Sequence, residues 1–228
     1  MRITYLDHSG FAVETRPDRL LVFDEYNPKA AAGGAGVVTA EQVRAHAHSA
    51  LLLSHSHEDH WCREAVALPF GRTLLGGEFP GEVPGVRMQP GDEFSGDGMR
   101  VRAFGSTDEG VSFLVDADGA RIFHAGDLNL WHWEEESTAQ EVAEATEWFE
   151  RELAKLLPYA GTLDAAFFPL DPRMGGNTAR GADRFLAAMR PRVFIPMHCQ
   201  GDAALAQRYA ADRPQVRAMV ARGQQLDL

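Results

Sequence analysis

Cysteine is scarce in this 228-residue chain: Cys62 and Cys199 are the only two, far apart and in no CxxC unit. That excludes a disulfide scaffold and fits reduced thiols in a cytoplasm. Positive charge is also in deficit, with 22 Lys and Arg against 33 Asp and Glu and a formal net charge of −11. Nucleic-acid affinity comes mainly from neutralising phosphates with cations, so no nucleic-acid partner is expected. The longest apolar runs, Ala50 to Leu53 and Ala165 to Leu170, fall far short of the roughly 20 residues that a membrane helix needs. Met1 to Tyr5 carries no positive region leading into a long apolar stretch, so a secretory signal is not expected. Also missing are a GxSxG nucleophile elbow, a GxxxxGK(S/T) phosphate loop and a GxGxxG turn after a strand. A cytoplasmic protein acting on a small molecule is the expectation.

What is present suits a globular chain. At 45% apolar residues it can bury a substantial core without covalent staples. Neither repeat nor linker divides it, so residues 1–228 read as one domain. Arg2 to Leu6, Gly10 to Glu14 and Leu20 to Phe23 read as strands, and Ala30 to Gly36 as a loop of small residues. Thr39 can cap a short helix through Ala45, and Ala50 to Leu53 is a buried strand. Asp118-Gly119 between Val111–Val115 and Arg121–Phe123 signals a hairpin. The period then changes. Thr138 with Glu141 forms a capping-box pattern, and Val142, Ala145, Phe149, Leu153 and Leu156 follow at helical spacing until Pro158. Leu163 to Phe168 and Arg192 to Ile195 are strands. Asn177 or Thr178 can cap the helix between them, and Asp202 the one that follows. Hairpins mixed with crossover helices imply helices packed on sheets, an α/β class.

Several chemistry-bearing residues share one placement. Asp24, His55, Asp127 and His198 each stand just after a short apolar strand, and strand ends in layered α/β folds line common crevices. The densest signal is His55-Ser56-His57-Glu58-Asp59-His60. Imidazole and carboxylate suit zinc, manganese or iron. Residues two apart on extended chain point the same way, so His55 and His57 can hold one ion; Asp59 and His60 follow a turn and can face a second. Packing explains four such side chains in six residues poorly, although surface histidines on a polar loop are the bland alternative. His124 reads as a satisfied strand histidine, and Arg173 as either an anion-binding group or a surface turn. Trp131 and Trp133 line a pocket or pack in the core, and His46 and His48 read as surface residues.

The six-residue motif resembles the H-x-H-x-D-H signature of the metallo-β-lactamase superfamily. Phe23-Asp24, His124-Ala125-Gly126-Asp127 and Pro196-Met197-His198 resemble its flanking elements, in order along nearly the whole chain. The resemblance implies a four-layer αββα sandwich with the site along one edge. It implies His55 and His57 on one metal, Asp59, His60 and His198 on the other, Asp127 between them, and Asp24 orienting a ligand from behind. The opening Asp7-His8-Ser9-Gly10-Phe11 is similar to an element of the branch that contains ascorbate-phosphate lactonase-like proteins.

One element departs from the family pattern. Where relatives carry another histidine ahead of the hairpin, this chain reads Gly105-Ser106-Thr107-Asp108-Glu109-Gly110. Ser106 is a poor ligand. Asp108 can substitute, or His8 can reach in from the first turn; otherwise the His55/His57 metal is held weakly. The resemblance implies a metal-dependent hydrolase in which bound metal lowers the pKa of water from 15.7 to about 7. One or two ions are expected, zinc first, with manganese or iron as alternatives. Asp59 or Asp127 is expected to orient the attacking oxygen, and metal-bound water or His132 to protonate the leaving group, on a small anionic ester, lactone or phosphoester. An iron redox enzyme of the same fold, or a metal-binding protein with a degenerate site, are the other readings.

Overall fold

Along the first strands apolar side chains recur on both faces, and a sheet so patterned needs cover on both sides. In the computed structural model, which describes residues 1–26, 36–133 and 135–228, β1 (Arg2–Asp7), β2 (Gly10–Arg16) and β3 (Arg19–Phe23) form an antiparallel meander. The chain crosses through α1 (Ala40–Ala45) to β4 (His48–Leu53), which pairs parallel with β3. After α2 (Arg63–Val66), β5 (Arg72–Gly76) and β6 (Val86–Met88) extend the sheet, again in parallel. The second sheet repeats this plan. β7 (Glu93–Gly96), β8 (Met99–Gly105), β9 (Val111–Ala117) and β10 (Ala120–His124) form the meander. Then α3 (Ala139–Leu156), β11 (Ala165–Pro169), α4 (Arg180–Met189) and β12 (Val193–Met197) add two parallel strands beside β10. α5 (Ala203–Ala210) follows, and β13 (Gln225–Asp227) returns to pair antiparallel with β1.

The period-2 alternation of strands sorts the layers. Phe167 and Phe168 are neighbours in β11 on opposite faces. Phe167 stacks on Phe11 of the first sheet, ring centroids 4.1 Å apart, and Phe168 stacks on Phe185 of α4 at 4.5 Å. On the far side of the first sheet Leu20, Val22, Leu51 and Leu53 pack with Val43 of α1 and Ala65 of α2. The order is helix, sheet, sheet, helix: the αββα sandwich expected. Among the described residues no helix is long and apolar enough to cross a membrane.

Most predicted elements stand where the pattern put them. Thr39 and Thr138 both complete capping boxes, and Asp202 caps α5. The start of α4 differs. Neither Asn177 nor Thr178 caps it; Pro172–Asn177 forms a tight 3-10 segment and α4 begins at Ala179 without a side-chain cap. The reason is Asp171, whose carboxylate takes the Arg173 N–H and starts that earlier turn, with the fixed φ of Pro172 favouring it. α2 and β13 are too short to show periodicity. Of the small-residue loop expected at Ala30 to Gly36, residues 30–35 lie outside the described residues.

Arg19 ties the two sheets together. It is 2% exposed, and its Nε donates to Asp118 Oδ2 at 2.6 Å while its Nη2 donates to the Asp97 carbonyl at 2.6 Å. Asp118 would keep Thr15 and Arg16 as partners, so what is lost with Arg19 is its own buried, charge-assisted bonds. Arg19→Ala is expected to lower unfolding stability by about 1.5–3 kcal/mol, read from the denaturant midpoint. A loss under about 1 kcal/mol, the worth of an exposed pair, would show that this clamp contributes little.

Candidate metal centre

The centre lies where strand ends and one hairpin turn meet. β3 ends at Asp24, β4 runs into Ser54 and His55, β10 leads through Ala125-Gly126 to Asp127, and β12 ends at His198. The β1–β2 turn contributes His8. Close approach of these loops demands glycine. At Gly126, φ +53, a Cβ would meet the Val111 carbonyl at 2.7 Å and Ser54 Cβ at 2.8 Å. His8, Asp24 and His198 have φ of +49, +44 and +61, a region that L-residues enter at a cost of roughly 1–2 kcal/mol. Strain of that kind clusters where function holds side chains in place.

Two groups of donors result, each with ligand atoms within 4.8 Å of one another. His8, Asp59, His60 and His198 form one; His55, His57 and Asp127 form the other. Asp127 lies between them, its Oδ2 3.5 Å from His55 Nε2 and its Oδ1 3.1 Å from His60 Nε2 and 3.6 Å from His198 Nε2. His8 Nε2, His60 Nε2, His198 Nε2 and Asp127 Oδ1 are buried and make no hydrogen bond of acceptable geometry. Buried polar atoms are rarely left so, and four that converge fit a cation: lone pairs aimed at one point are what an ion would satisfy.

Behind the donors stands a second row that fixes their orientation. Asp24 is fully buried and accepts from the Ser54 N–H at 2.7 Å, the Ser54 hydroxyl at 2.7 Å and His60 Nδ1 at 2.8 Å. The Ser54 hydroxyl also lies 2.9 Å from His55 Nδ1. The two histidines are thereby held through Nδ1, leaving Nε2 free to face inward. Asp171 does the same for His198, bonding its Nδ1 at 2.7 Å while Arg173 engages both carboxylate oxygens.

Charge follows geometry. Burial opposes protonation of His60, but the carboxylates of Asp127 and Asp24 overcome it and push its pKa up to about 10. His55 goes the other way, to about 4, through burial and the neighbouring His60. Burial also lowers His8. Contact with His8 holds the Asp59 carboxyl well below its ordinary range, against burial. Burial disfavours the Asp127 charge, but His60 and His198 keep it ionised.

All of His55, His57, Asp59, His60, Asp127 and His198 come together. His8, expected to reach in toward the His55/His57 metal, has its Nε2 in the other donor group instead, 3.2 Å from Asp59 Oδ2. Asp108 does not join either donor group; it is half-buried and lines a cavity of about 250 Å³ with Asp127, Thr107, Trp131, Trp133 and Arg173. Burial and the Asp127 charge raise its pKa. His132 is in neither group. It is buried, with Asn177 Nδ2 3.2 Å from its Nδ1 and an Arg180 nitrogen 3.4 Å from its Nε2, so its placement gives no support to a leaving-group role. His124 is an internal strand histidine, stacked on Phe23 and bonded to the Ser9 carbonyl. Ser54 and Asp171 were not read as site residues. Ser54 precedes the motif directly, and that adjacency was the available signal.

Comparison with known proteins agrees with this architecture. A sequence model described as the beta-lactamase superfamily domain matches residues 2–143. A metal-dependent hydrolase of Deinococcus radiodurans is 29% identical over 87% of this chain and 84% of its own. Another, from Pelotomaculum thermopropionicum, is 26% identical with the same two coverages, 87% and 84%. Among solved structures, a candidate metal-dependent hydrolase from Parabacteroides distasonis superposes with a TM-score of 0.64 at 16% identity, covering 97% of this chain and 92% of that one.

Partners that orient metal ligands typically contribute about 10–100-fold in metal affinity. Ser54→Ala is expected to weaken binding of the ion at His55, His57 and Asp127 by that factor in a metal titration. His46→Ala, on the outside of the sandwich, is expected to leave both binding events unchanged. Parent-like affinity in Ser54→Ala would show that the hydroxyl does not set the His55 ring.

Proposed function

Because the chain belongs to the beta-lactamase superfamily, we propose that it is a metal-dependent hydrolase acting on a small anionic ester, lactone or phosphoester. The observation that carries this reading is the pair of donor groups sharing Asp127 at the edge of a cavity of about 250 Å³. His8, Asp59, His60 and His198 would hold one ion, and His55, His57 and Asp127 a second, with Asp127 turned toward both. Three imidazoles and a carboxylate suit zinc, with manganese or iron as alternatives. A bound divalent ion supplies nucleophilic water at neutral pH and polarises a substrate oxygen.

The chain's own residues supply positioning and proton handling. Asp127, held ionised and within reach of both groups, orients an attacking oxygen. Asp59, whose carboxylate is about half exposed, stands where it can accept a hydrogen bond from that oxygen. Asp108 lines the cavity beside Asp127, and its carboxyl takes the place envisaged for His132 in handing a proton to a leaving group. Arg173 lines the same cavity; its guanidinium is anchored by Asp171 and offers a cation toward an anionic substrate. Steering Arg173 through Asp171 ties substrate charge to the orientation of His198.

The two metal positions differ in donor count, four against three. Occupancy is therefore expected to be unequal: a titration of metal-free protein should show one tight event and a second at least about tenfold weaker, since even a lost outer partner has that effect. Ser106→His should tighten the weaker event, and Asp108→Ala should leave both in place. Two equally tight events, one lost in Asp108→Ala, would mean that Asp108 replaces the missing histidine. Turnover of a panel of esters, lactones and phosphoesters should vanish with a chelator and return with zinc. Metal-independent turnover would sink the hydrolase reading.

A further inference from the structure

The cavity at Asp127 does not end there. A second cavity, about 240 Å³, adjoins it and shares two of its walls, Thr107 and Trp131. Its other walls come from one face of α3: Glu141, Glu144, Ala145 and Trp148. Trp148 is among the few large apolar side chains left exposed, at 41%. Trp148 is not a lone surface side chain: with Ala145 and Trp131 it makes the apolar part of one concave wall, the setting in which ligand pockets are found.

The shared wall is rigid. Trp131 Nε1 donates to the carbonyl of Asp127 itself at 2.7 Å, and its ring meets His198 and Trp133 edge-on, centroids 5.9 Å away in each case. The Thr107 hydroxyl donates to the Asn129 carbonyl and accepts the Asn129 N–H. Distance from the metal donors to the groove is thus set by backbone anchors. Charge differs between the two compartments. The inner one holds Arg173 beside Asp108 and Asp127, and an ion held by the donor groups would add positive charge there; the outer one is rimmed by two carboxylates, Glu141 and Glu144, held by Thr138 and Gln140. An anion suits the inner compartment and is repelled from the outer one.

We propose that this outer groove is a substrate subsite for a flat, apolar group of aromatic size that bears no negative charge, joined to the anionic head that the metal centre takes. The proposal rests on the hydrolase reading for the head group only. Aromatic groups stack on indole faces with offset or edge geometry, a gain beyond area alone. The substrate is then a two-part molecule, anionic at the reacting end and aromatic at the other, and the small size expected from sequence applies to its head.

The test compares methylphosphonate, benzylphosphonate and 4-carboxybenzylphosphonate binding to zinc-loaded protein by calorimetry. Benzylphosphonate is expected to bind about tenfold or more tighter than methylphosphonate, a gain within reach of one stacked ring. The carboxylated ring should lose that gain against Glu141 and Glu144. In Trp148→Ala, and in Ala145→Leu, which fills the groove from the same helix, the ratio of the two dissociation constants should fall to near one. The ratio is taken within each protein, so a change in metal occupancy divides out. A ratio near one in the parent, a ratio that survives Trp148→Ala, undiminished binding of the carboxylated ring, or no binding of benzylphosphonate overturns the subsite. If the methylphosphonate head binds equally with and without zinc, it is the metal-centre reading that fails, and the ratio still judges the groove.

Discussion

A carboxylate with no exposed surface must be surrounded by donors, and Asp24 is. Ionised carboxylates are too costly to bury unpaired, so whatever holds Asp24 is held in return. Its partners are the backbone and hydroxyl of Ser54, at the end of β4, and the ring of His60, six residues further on. Through Ser54 the same charge reaches His55. One buried anion at the end of β3 therefore fixes a histidine in each donor group. The parallel pairing of β3 with β4 makes this possible, because it brings the two strand ends out side by side.

The second sheet supplies the matching half by the same device. β11 and β12 run parallel and end side by side, so that Asp171, two residues beyond β11, meets His198, the residue after β12. The repeated plan of meander followed by parallel strands thus produces two carboxylate–histidine pairs facing each other across the sandwich edge. Asp127, from the loop after β10, lies between them. The centre is less an ornament on the fold than the place where its two halves are brought into register.

Much of this was readable from local pattern. Period-2 strands, the cap at Thr39, the capping box at Thr138 and the Asp118-Gly119 turn each act through neighbours in sequence, and each is found. The H-x-H-x-D-H motif is likewise local, and all its members meet. What was not legible depends on contacts between distant residues. His8 stands 190 residues from His198, yet their rings lie 4.0 Å apart; nothing in the spacing around His8 announces that. Asp171 carries no signal of its own in the sequence, and only the parallel register of β11 and β12 gives it a histidine to orient. His132 erred in the opposite direction. Sitting between two tryptophans after the Asp127 loop, it invites a catalytic reading, but the 3-10 segment and the start of α4 bring Asn177 within 3.2 Å of its Nδ1 and Arg180 within 3.4 Å of its Nε2.

The positive-φ residues connect these threads. His8, Asp24 and His198 each sit in a backbone region that disfavours side chains, together a cost of several kcal/mol at roughly 1–2 kcal/mol apiece. A loop free to relax would shed that strain. These cannot, because each is anchored from outside: the His198 N–H donates to the His8 carbonyl at 3.3 Å, and the Asp24 N–H donates to the Leu52 carbonyl at 3.0 Å. The core behind them, with Phe11 stacked on Phe167 and Phe23 on His124, keeps the sheets from shifting to accommodate. The interior is close-packed and does not deform continuously. The strain is therefore carried by the sandwich as a whole, and its effect is to hold imidazole nitrogens aimed at a common point before any ion arrives. Preorganisation of this kind explains why the walls beyond the metal donors, Trp131 above all, are anchored to the same backbone: the geometry of the site extends outward from the ligands into the groove.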